Sequence, residues 1–177
     1  ATTNMISTIR TGCNVVMLDR FTMDTIFSVI AREKISYLLA VPRLFLGMMF
    51  FEGAAKYDVR SLSVCVTGGA PMPADFFPVF EKQFGVKLLE GYGLTEAAPV
   101  CSFTRVGMAQ KPGSIGTAIP GMVIKIVDDN GRELPRGEIG EVIVRGANVM
   151  QGYYKDEKAT ASVIKDGWLY TGDLGKM

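Results

Sequence analysis

Tyr92, Thr95 and Glu96 stand together in the run Glu90-Gly91-Tyr92-Gly93-Leu94-Thr95-Glu96, directly after the strand-like Val-Lys-Leu-Leu of residues 86–89. No histidine, lysine or cysteine occurs among these seven residues, so a side-chain nucleophile with its base is not available there. What the run does offer suits a nucleotide. A tyrosine at a strand end presents a ring face, and stacking a base on such a face is worth about 1–3 kcal/mol whatever the base. Gly91 and Gly93 leave room beside that ring. The Thr95 hydroxyl can donate to an anionic phosphate oxygen, and the Glu96 carboxylate suits Mg²⁺, a hard cation that prefers oxygen ligands. Taken singly, each residue has a plainer role: Tyr92 at the edge of a core, Thr95 as a helix N-cap, Glu96 as a solvated acid in a first helical turn.

Two further stretches bear on the same chemistry. "TGGAPM" at residues 67–72 follows a strand-like segment. Gly68 and Gly69 there would let a planar ligand approach the backbone, and Ala70-Pro71 would stiffen the turn, although the stretch also reads as an ordinary loop. "DGWLYTGDL" at residues 166–174 carries Thr-Gly-Asp, expected at a turn. Asp173 could accept from two adjacent ribose hydroxyls, or the stretch could be a simple Asx-type turn. Trp168 and Tyr170 read as core residues.

The elements that must position these loops alternate. "VVML" at residues 15–18 is a short apolar run that reads as a first strand. Residues 24–34 carry Ile26, Val29, Ile30 and Glu33 at helical spacing, with Asp24 as an N-cap. Residues 36–41 read as a buried strand, and Pro42 opens the next helix. Residues 62–69 and 86–92 give two more strands. Between them, Phe76, Phe80 and Phe84 mark a helix that accommodates Pro78 only if it begins near Asp75, leaving the proline in its first turn. Short, continuous apolar strands separated by helices indicate a parallel α/β sheet, where ligands bind at the carboxyl ends of strands.

After residue 103 the pattern changes to alternation, Val123, Lys125 and Val127 against Ile124, Ile126 and Asp128, with "DDNG" as a hairpin signal. "GEIGEVIVRG" adds a strand and "DEKATASVI" a helix. The sequence therefore predicts an α/β chain. Residues 1–103 read as a parallel-sheet, Rossmann-like α/β subdomain whose strand-end loops suit a nucleotide. Residues 104–177 form a small antiparallel β-barrel-like subdomain.

Composition narrows the function. Nineteen basic and eighteen acidic residues give a net charge of +1 with no block of either sign, which argues against a nucleic-acid partner. The absence of histidine removes Ser-His and Cys-His pairs and the usual zinc sets. Cys13, Cys65 and Cys101 lie far apart and read as reduced core cysteines of a cytoplasmic protein. The first ten residues lack a signal-peptide pattern, and residues 37–51 are short for a membrane span and interrupted by Pro42-Arg43.

"GYGLTE", "TGGAPM", "GSIGTAIPG", "GEIGEVIVRGANVMQGYY" and "GWLYTGDL" occur here in the order and spacing of the adenylate-forming enzymes. The chain resembles acyl-CoA synthetases, luciferases and peptide-synthetase adenylation domains over essentially its whole length. That resemblance implies activation of a carboxylic acid with Mg-ATP to an acyl-adenylate, release of pyrophosphate, and transfer of the acyl group to a thiol. It implies that Gly68, Gly69, Ala70 and Pro71 line the adenine pocket with Glu90 and Gly91. Tyr92 would stack on adenine and Gly93 would sit by the acyl carboxylate. Thr95 and Glu96 would be the catalytic pair, Thr95 on the α-phosphate and Glu96 on Mg²⁺, and Asp173 would hold the ribose.

Within that family, "EGYGLTE" and "LYTGDL" are similar to acyl-CoA synthetases. The resemblance therefore implies coenzyme A as acceptor and a fatty or other small-molecule carboxylic acid as substrate. The family's Ser/Thr/Gly-rich phosphate loop, hinge and catalytic C-terminal lysine are not found in this sequence. The chain accordingly reads as an internal piece, expected to be inactive without the N- and C-terminal parts of the same enzyme. The other expectations are an adenylation domain that loads a carrier protein, or a nucleotide- or acyl-binding module without catalysis.

Overall fold

A computed structural model describes residues 5–108, 111 and 113–177 of the chain, so the opening Ala-Thr-Thr-Asn falls outside it. The chain divides into two compact units, one of Ala1–Tyr92 and Phe103–Thr117, the other of Gly93–Ser102 and Ala118–Met177.

The first unit is built on short parallel strands. β1 (Tyr37–Ala40), β2 (Val64–Thr67) and β3 (Leu88–Tyr92) pair in register, Ala40 opposite Thr67 and Thr67 opposite Glu90. The two-residue strands β4 (Ser102–Phe103) and β5 (Thr117–Ala118), where the chain passes between the units, complete the order β1-β2-β3-β4-β5. After the single-turn α1 (Ser7–Arg10) come α2 (Met23–Glu33), α3 (Pro42–Met49) and α4 (Phe76–Phe84). Pro42 opens α3, and Pro78 sits in the first turn of α4 behind Asp75, where its missing N–H has no intrahelical partner to lose.

Side chains from all three helices make the core. Phe27 lies against Phe51, Tyr57 and Phe84, and Phe45 meets Phe80 edge to face with centroids 5.4 Å apart. Burial of this kind is the main favourable term in holding a sheet and its helices together.

Three local expectations are corrected in this unit. Thr22, not Asp24, caps α2: its Oγ1 accepts from the Thr25 N–H at 3.1 Å, while Asp24 in the first turn accepts from the Tyr57 hydroxyl at 2.6 Å. Residues 15–18 form no strand, and all four are exposed, because the sheet begins at β1 and offers them no ladder. β1 is an edge strand and is only partly buried.

The second unit is a curled antiparallel sheet in the order β6-β7-β9-β8. It comprises β6 (Met122–Val127), β7 (Gly140–Gly146), β8 (Ile164–Lys165) and β9 (Trp168–Gly175). The "DDNG" turn forms, with Asp128 accepting from the Arg132 N–H, yet it returns the chain to a single bridge between Val127 and Glu133 and not straight into β7. α5 (Glu157–Val163) is capped by Asp156, which accepts from the Ala159 N–H at 2.8 Å. On β9 the core residue is Leu169. Trp168 is half-buried, with the Arg145 guanidinium 4.5 Å and the Lys125 ammonium 5.3 Å from its ring centroid. Tyr170, also half-buried, lies beneath Lys165.

Among the described residues no helix is long and apolar enough to cross a membrane. All three cysteines are free, Cys65 and Cys101 buried, Cys13 exposed and so not the core residue expected. Burial pushes the Cys65 thiol up to about 12 and the Cys101 thiol up to about 11, which suppresses the thiolate that reacts. An aromatic disulfide reagent at pH 8 is expected to modify one thiol per chain rapidly and two more only in denaturant. A Cys13→Ser variant that retains the fast phase would contradict this.

Candidate functional site

The motif residues fall into two sets, because the run Glu90–Glu96 passes from the first unit to the second at the Tyr92–Gly93 bond. In the first unit, β2 and β3 bring the Gly68–Pro71 loop and Glu90–Tyr92 to the same end of the sheet. A Cβ on Gly68 would stand 3.1 Å from the Gly91 carbonyl oxygen, so these two backbones run close. Gly69 takes φ +83°, and Gly69, Ala70 and Pro71 are exposed. Tyr92 is half-buried at the strand end.

Beneath this loop the polar groups are enclosed. Glu90 is 9% exposed, accepts from the Met72 N–H at 3.4 Å, and accepts from Thr104 N–H through its backbone carbonyl at 2.9 Å. Thr67, opposite Glu90 in the ladder, is fully buried and its Oγ1 has no hydrogen-bond partner among the described residues. An orphaned buried hydroxyl, in register with a buried carboxyl, is the kind of polar group that a ligand edge or a water completes.

Burial pushes the Glu90 carboxyl above the ordinary carboxylate range, and the Met72 N–H opposes this only in part. The folded chain therefore holds that proton to higher pH than the unfolded chain. Its contribution to stability is fully present below the unfolded value, near pH 4, and is lost as pH rises through the folded value. Glu90→Gln, which keeps an acceptor for Met72, is expected to raise the thermal midpoint at pH 7, with the gap closing toward pH 4. Equal midpoints at pH 7 would count against it.

The second unit carries Gly93, Thr95, Glu96 and Asp173. Thr95–Ala97 is a 3-10 turn with Leu94 at its N-cap position and no side-chain cap, so Thr95 is not an N-cap; Thr95 is exposed. Gly93 has no alternative at its position, since a Cβ there would lie 1.8 Å from the Pro99 carbonyl oxygen. The turn is held from residues 148–153. Asn148 Nδ2 donates to the carbonyls of Ala97 (2.6 Å) and Val100 (3.0 Å), the Met150 N–H donates to the Glu96 carbonyl (2.7 Å), and the Tyr153 hydroxyl donates to Glu96 Oε1 (2.9 Å). None of these three residues stood out in the sequence by chemistry or period. The only signal was that they fall within "GANVMQGYY".

Thr-Gly-Asp is not at a turn, as expected, but inside β9, in a bulge. Glu141 pairs with Leu174 and Ile143 with Tyr170, so Thr171, Gly172 and Asp173 face a single residue of β7, Val142. Thr171 Oγ1 donates to the Val142 carbonyl at 2.7 Å and accepts from the Asp173 N–H at 3.1 Å. Gly172, at φ +76°, donates its N–H to Glu141 Oε1 at 2.9 Å. Only a residue tolerant of the left-handed region fits there, and the result is an exposed Asp173 carboxylate.

Among the described residues no group of three or more cysteine, aspartate and glutamate side chains converges on one point. A magnesium ion at Glu96 would therefore draw its other ligands from water and phosphate oxygens, which is the usual habit of this ion. The half-exposed Glu96 carboxylate and the donor set fit that role.

Comparison with known proteins places this arrangement. The AMP-binding enzyme family matches residues 1–154. A long-chain-fatty-acid–CoA ligase of Bacillus subtilis (strain 168) is 36% identical over 170 residues, covering 96% of this chain and 30% of that protein. 4-Coumarate–CoA ligase 1 of Glycine max is 36% identical over 168 residues, covering 91% of this chain and 57% of that protein. The crystal structure of an anthranilate CoA ligase in complex with anthranoyl-AMP superposes with a TM-score of 0.91 at 27% identity, covering 97% of this chain and 33% of that one. The chain thus spans about a third to somewhat over half of the length of these relatives. With its parallel-sheet unit, its curled antiparallel unit and its glycine-rich loops at the ends of β2 and β3, the chain belongs to the AMP-binding enzyme family, within the adenylate-forming superfamily that holds the acyl-CoA ligases.

Proposed function

We propose that the chain is part of a cytoplasmic, ATP-dependent acyl-CoA synthetase that activates a fatty acid to its adenylate and passes the acyl group to coenzyme A. Residues 1–103 would supply part of the nucleotide-binding α/β subdomain and residues 104–177 the small β subdomain. The observation that carries this reading is the Thr95–Glu96 turn: it offers a hydroxyl and an oriented carboxylate with no nucleophile, in a member of the AMP-binding family. In adenylation the nucleophile is the substrate's own carboxylate oxygen, which attacks the α-phosphorus as the bond to pyrophosphate breaks. The thiol of coenzyme A then adds to the acyl carbon, losing its proton to solvent, and AMP leaves.

In this reading Gly68, Gly69, Ala70 and Pro71 border the adenine with Glu90 and Gly91, and Tyr92 stacks on it. Gly93 sits close to the acyl carboxylate, Thr95 donates to the α-phosphate, and Asp173 accepts from the ribose hydroxyls. Glu96 would hold Mg²⁺, which would supply positive charge against the negative charge on the phosphate oxygens. The fatty-acid assignment leans on the Bacillus subtilis relative, and the coumarate and anthranilate ligases make aromatic acids the other arm of the test.

The test is a thioester-formation screen of the full-length protein across aliphatic chain lengths and aromatic acids, with coenzyme A or a carrier protein as acceptor. AMP release that requires both an aliphatic acid and coenzyme A is expected. Preference for an aromatic acid would move the substrate class, preference for a carrier would move the acceptor, and no adenylate with any acid would overturn the enzyme reading. The 177-residue chain alone is expected to show ATP–pyrophosphate exchange at background.

A further inference from the structure

We propose that Tyr153 is a positioning residue that holds the Glu96 carboxylate oriented for a divalent cation, an inference that rests on the magnesium role given to Glu96 above. The Tyr153 hydroxyl donates to Glu96 Oε1 at 2.9 Å across 57 positions of sequence. The backbone of Glu96 is already fixed by Met150, and its neighbours by Asn148, so the turn keeps its shape without the phenol. The phenol is the group that reaches the carboxylate itself.

Tyr153 is in turn held from behind. Its N–H donates to Thr160 Oγ1 at 2.9 Å, that hydroxyl donates to the Asp156 carbonyl at 2.8 Å, and Tyr153 and Asp156 form a backbone bridge. Gly152 lets this happen, because a Cβ there would lie 2.8 Å from the Thr160 side chain. The ring thus stands on the capped start of α5 and not on a mobile stem.

The chemistry of the donor fits orientation better than stability. Tyr153 is 38% exposed, and a hydrogen bond between two water-accessible groups adds little to folding. A lysine or arginine in its place would neutralise the carboxylate, whereas a phenol orients it and leaves its full charge for a cation. A glutamate that is already held also has less rotamer freedom to lose when a metal binds. Hydrogen-bonded supports of this kind typically affect metal affinity or activity about 10–100-fold.

The experiment compares wild type, Tyr153→Phe, Glu96→Gln and the double variant of the full-length protein. Mg²⁺ is titrated at fixed ATP in acid-dependent pyrophosphate exchange. The [13Cζ]tyrosine signal of Tyr153 is followed in parallel at constant pH. Tyr153→Phe is expected to raise the Mg²⁺ half-saturation about 10-fold, with the rate recovering at high Mg²⁺, and to add nothing to Glu96→Gln. The Tyr153 carbon signal is expected to shift with Mg²⁺ and ATP in wild type and to stay still in Glu96→Gln. A Tyr153→Phe variant that loses rate at every Mg²⁺ level with unchanged half-saturation overturns the inference and leaves the Glu96 assignment standing. If Glu96→Gln also leaves half-saturation unchanged, both fall. Should Tyr153→Phe fail to fold or exchange be absent, a carbon signal indifferent to Mg²⁺ and ATP in wild type overturns the inference, and one that shifts supports it.

Discussion

Replacing Glu96 with glutamine in the full-length protein is expected to lower acid-dependent ATP–pyrophosphate exchange by about 10²–10³-fold, the usual effect of removing one preorganised electrostatic contact from a reacting group. The substitution is nearly isosteric. Glutamine retains an oxygen that can accept from the Tyr153 hydroxyl, and the Met150 N–H bond to the residue-96 carbonyl is untouched. The thermal midpoint should therefore hold while the rate falls, which assigns the loss to charge and not to shape. Exchange within a few-fold of wild type, at unchanged Mg²⁺ dependence, would remove Glu96 from the reaction.

Gly93→Ala is expected to be the most damaging small substitution in the motif, and for a different reason. The added Cβ would meet the Pro99 carbonyl oxygen at 1.8 Å, with Pro99 C and Val100 Cα both at 2.8 Å. All three are backbone atoms, so no rotamer change can make way, and the turn must move as a whole. Overpacking typically costs about 1–3 kcal/mol, and a rigid backbone neighbour puts this case at the upper end. Displacing residues 97–100 also pulls the Ala97 and Val100 carbonyls away from Asn148. The measurement is thermal unfolding together with exchange activity. A variant with the wild-type midpoint and rate would show that the segment yields more easily than the distances allow.

Elements governed by local rules were legible in the sequence. Pro42 and Pro78 located helix starts because a proline's constraints act within one turn. The parallel strands followed from short apolar runs between helices, and the antiparallel unit from alternation. What failed depended on partners elsewhere in the chain. Residues 15–18 have the composition of a strand but no ladder to join. Asp24 has the right chemistry to cap α2, yet Thr22 sits at the turn and Tyr57 claims the carboxylate. Trp168 looked like core, but its ring serves as a platform for Arg145 and Lys125. Asn148 and Tyr153 were invisible because their contacts cross 48 to 57 positions and leave no periodic trace.

The bulge at Thr171–Asp173 sets a rule for how β9 can change length. From Glu141 to Ile143 the chain advances two residues on β7, while from Leu174 to Tyr170 it spans four on β9, an excess of two. Because side chains alternate faces with a period of two, an even excess preserves which way Trp168, Leu169 and Tyr170 point. Removing both extra residues would leave a continuous ladder with Leu169 still inward, a sheet that folds but lacks its exposed acid. Removing one would leave a single extra residue, so the strand must either rebuild the distortion as a one-residue bulge or turn its leading half over, with Leu169 facing water. A two-residue deletion here is therefore expected to disturb the core of this unit less than a one-residue deletion.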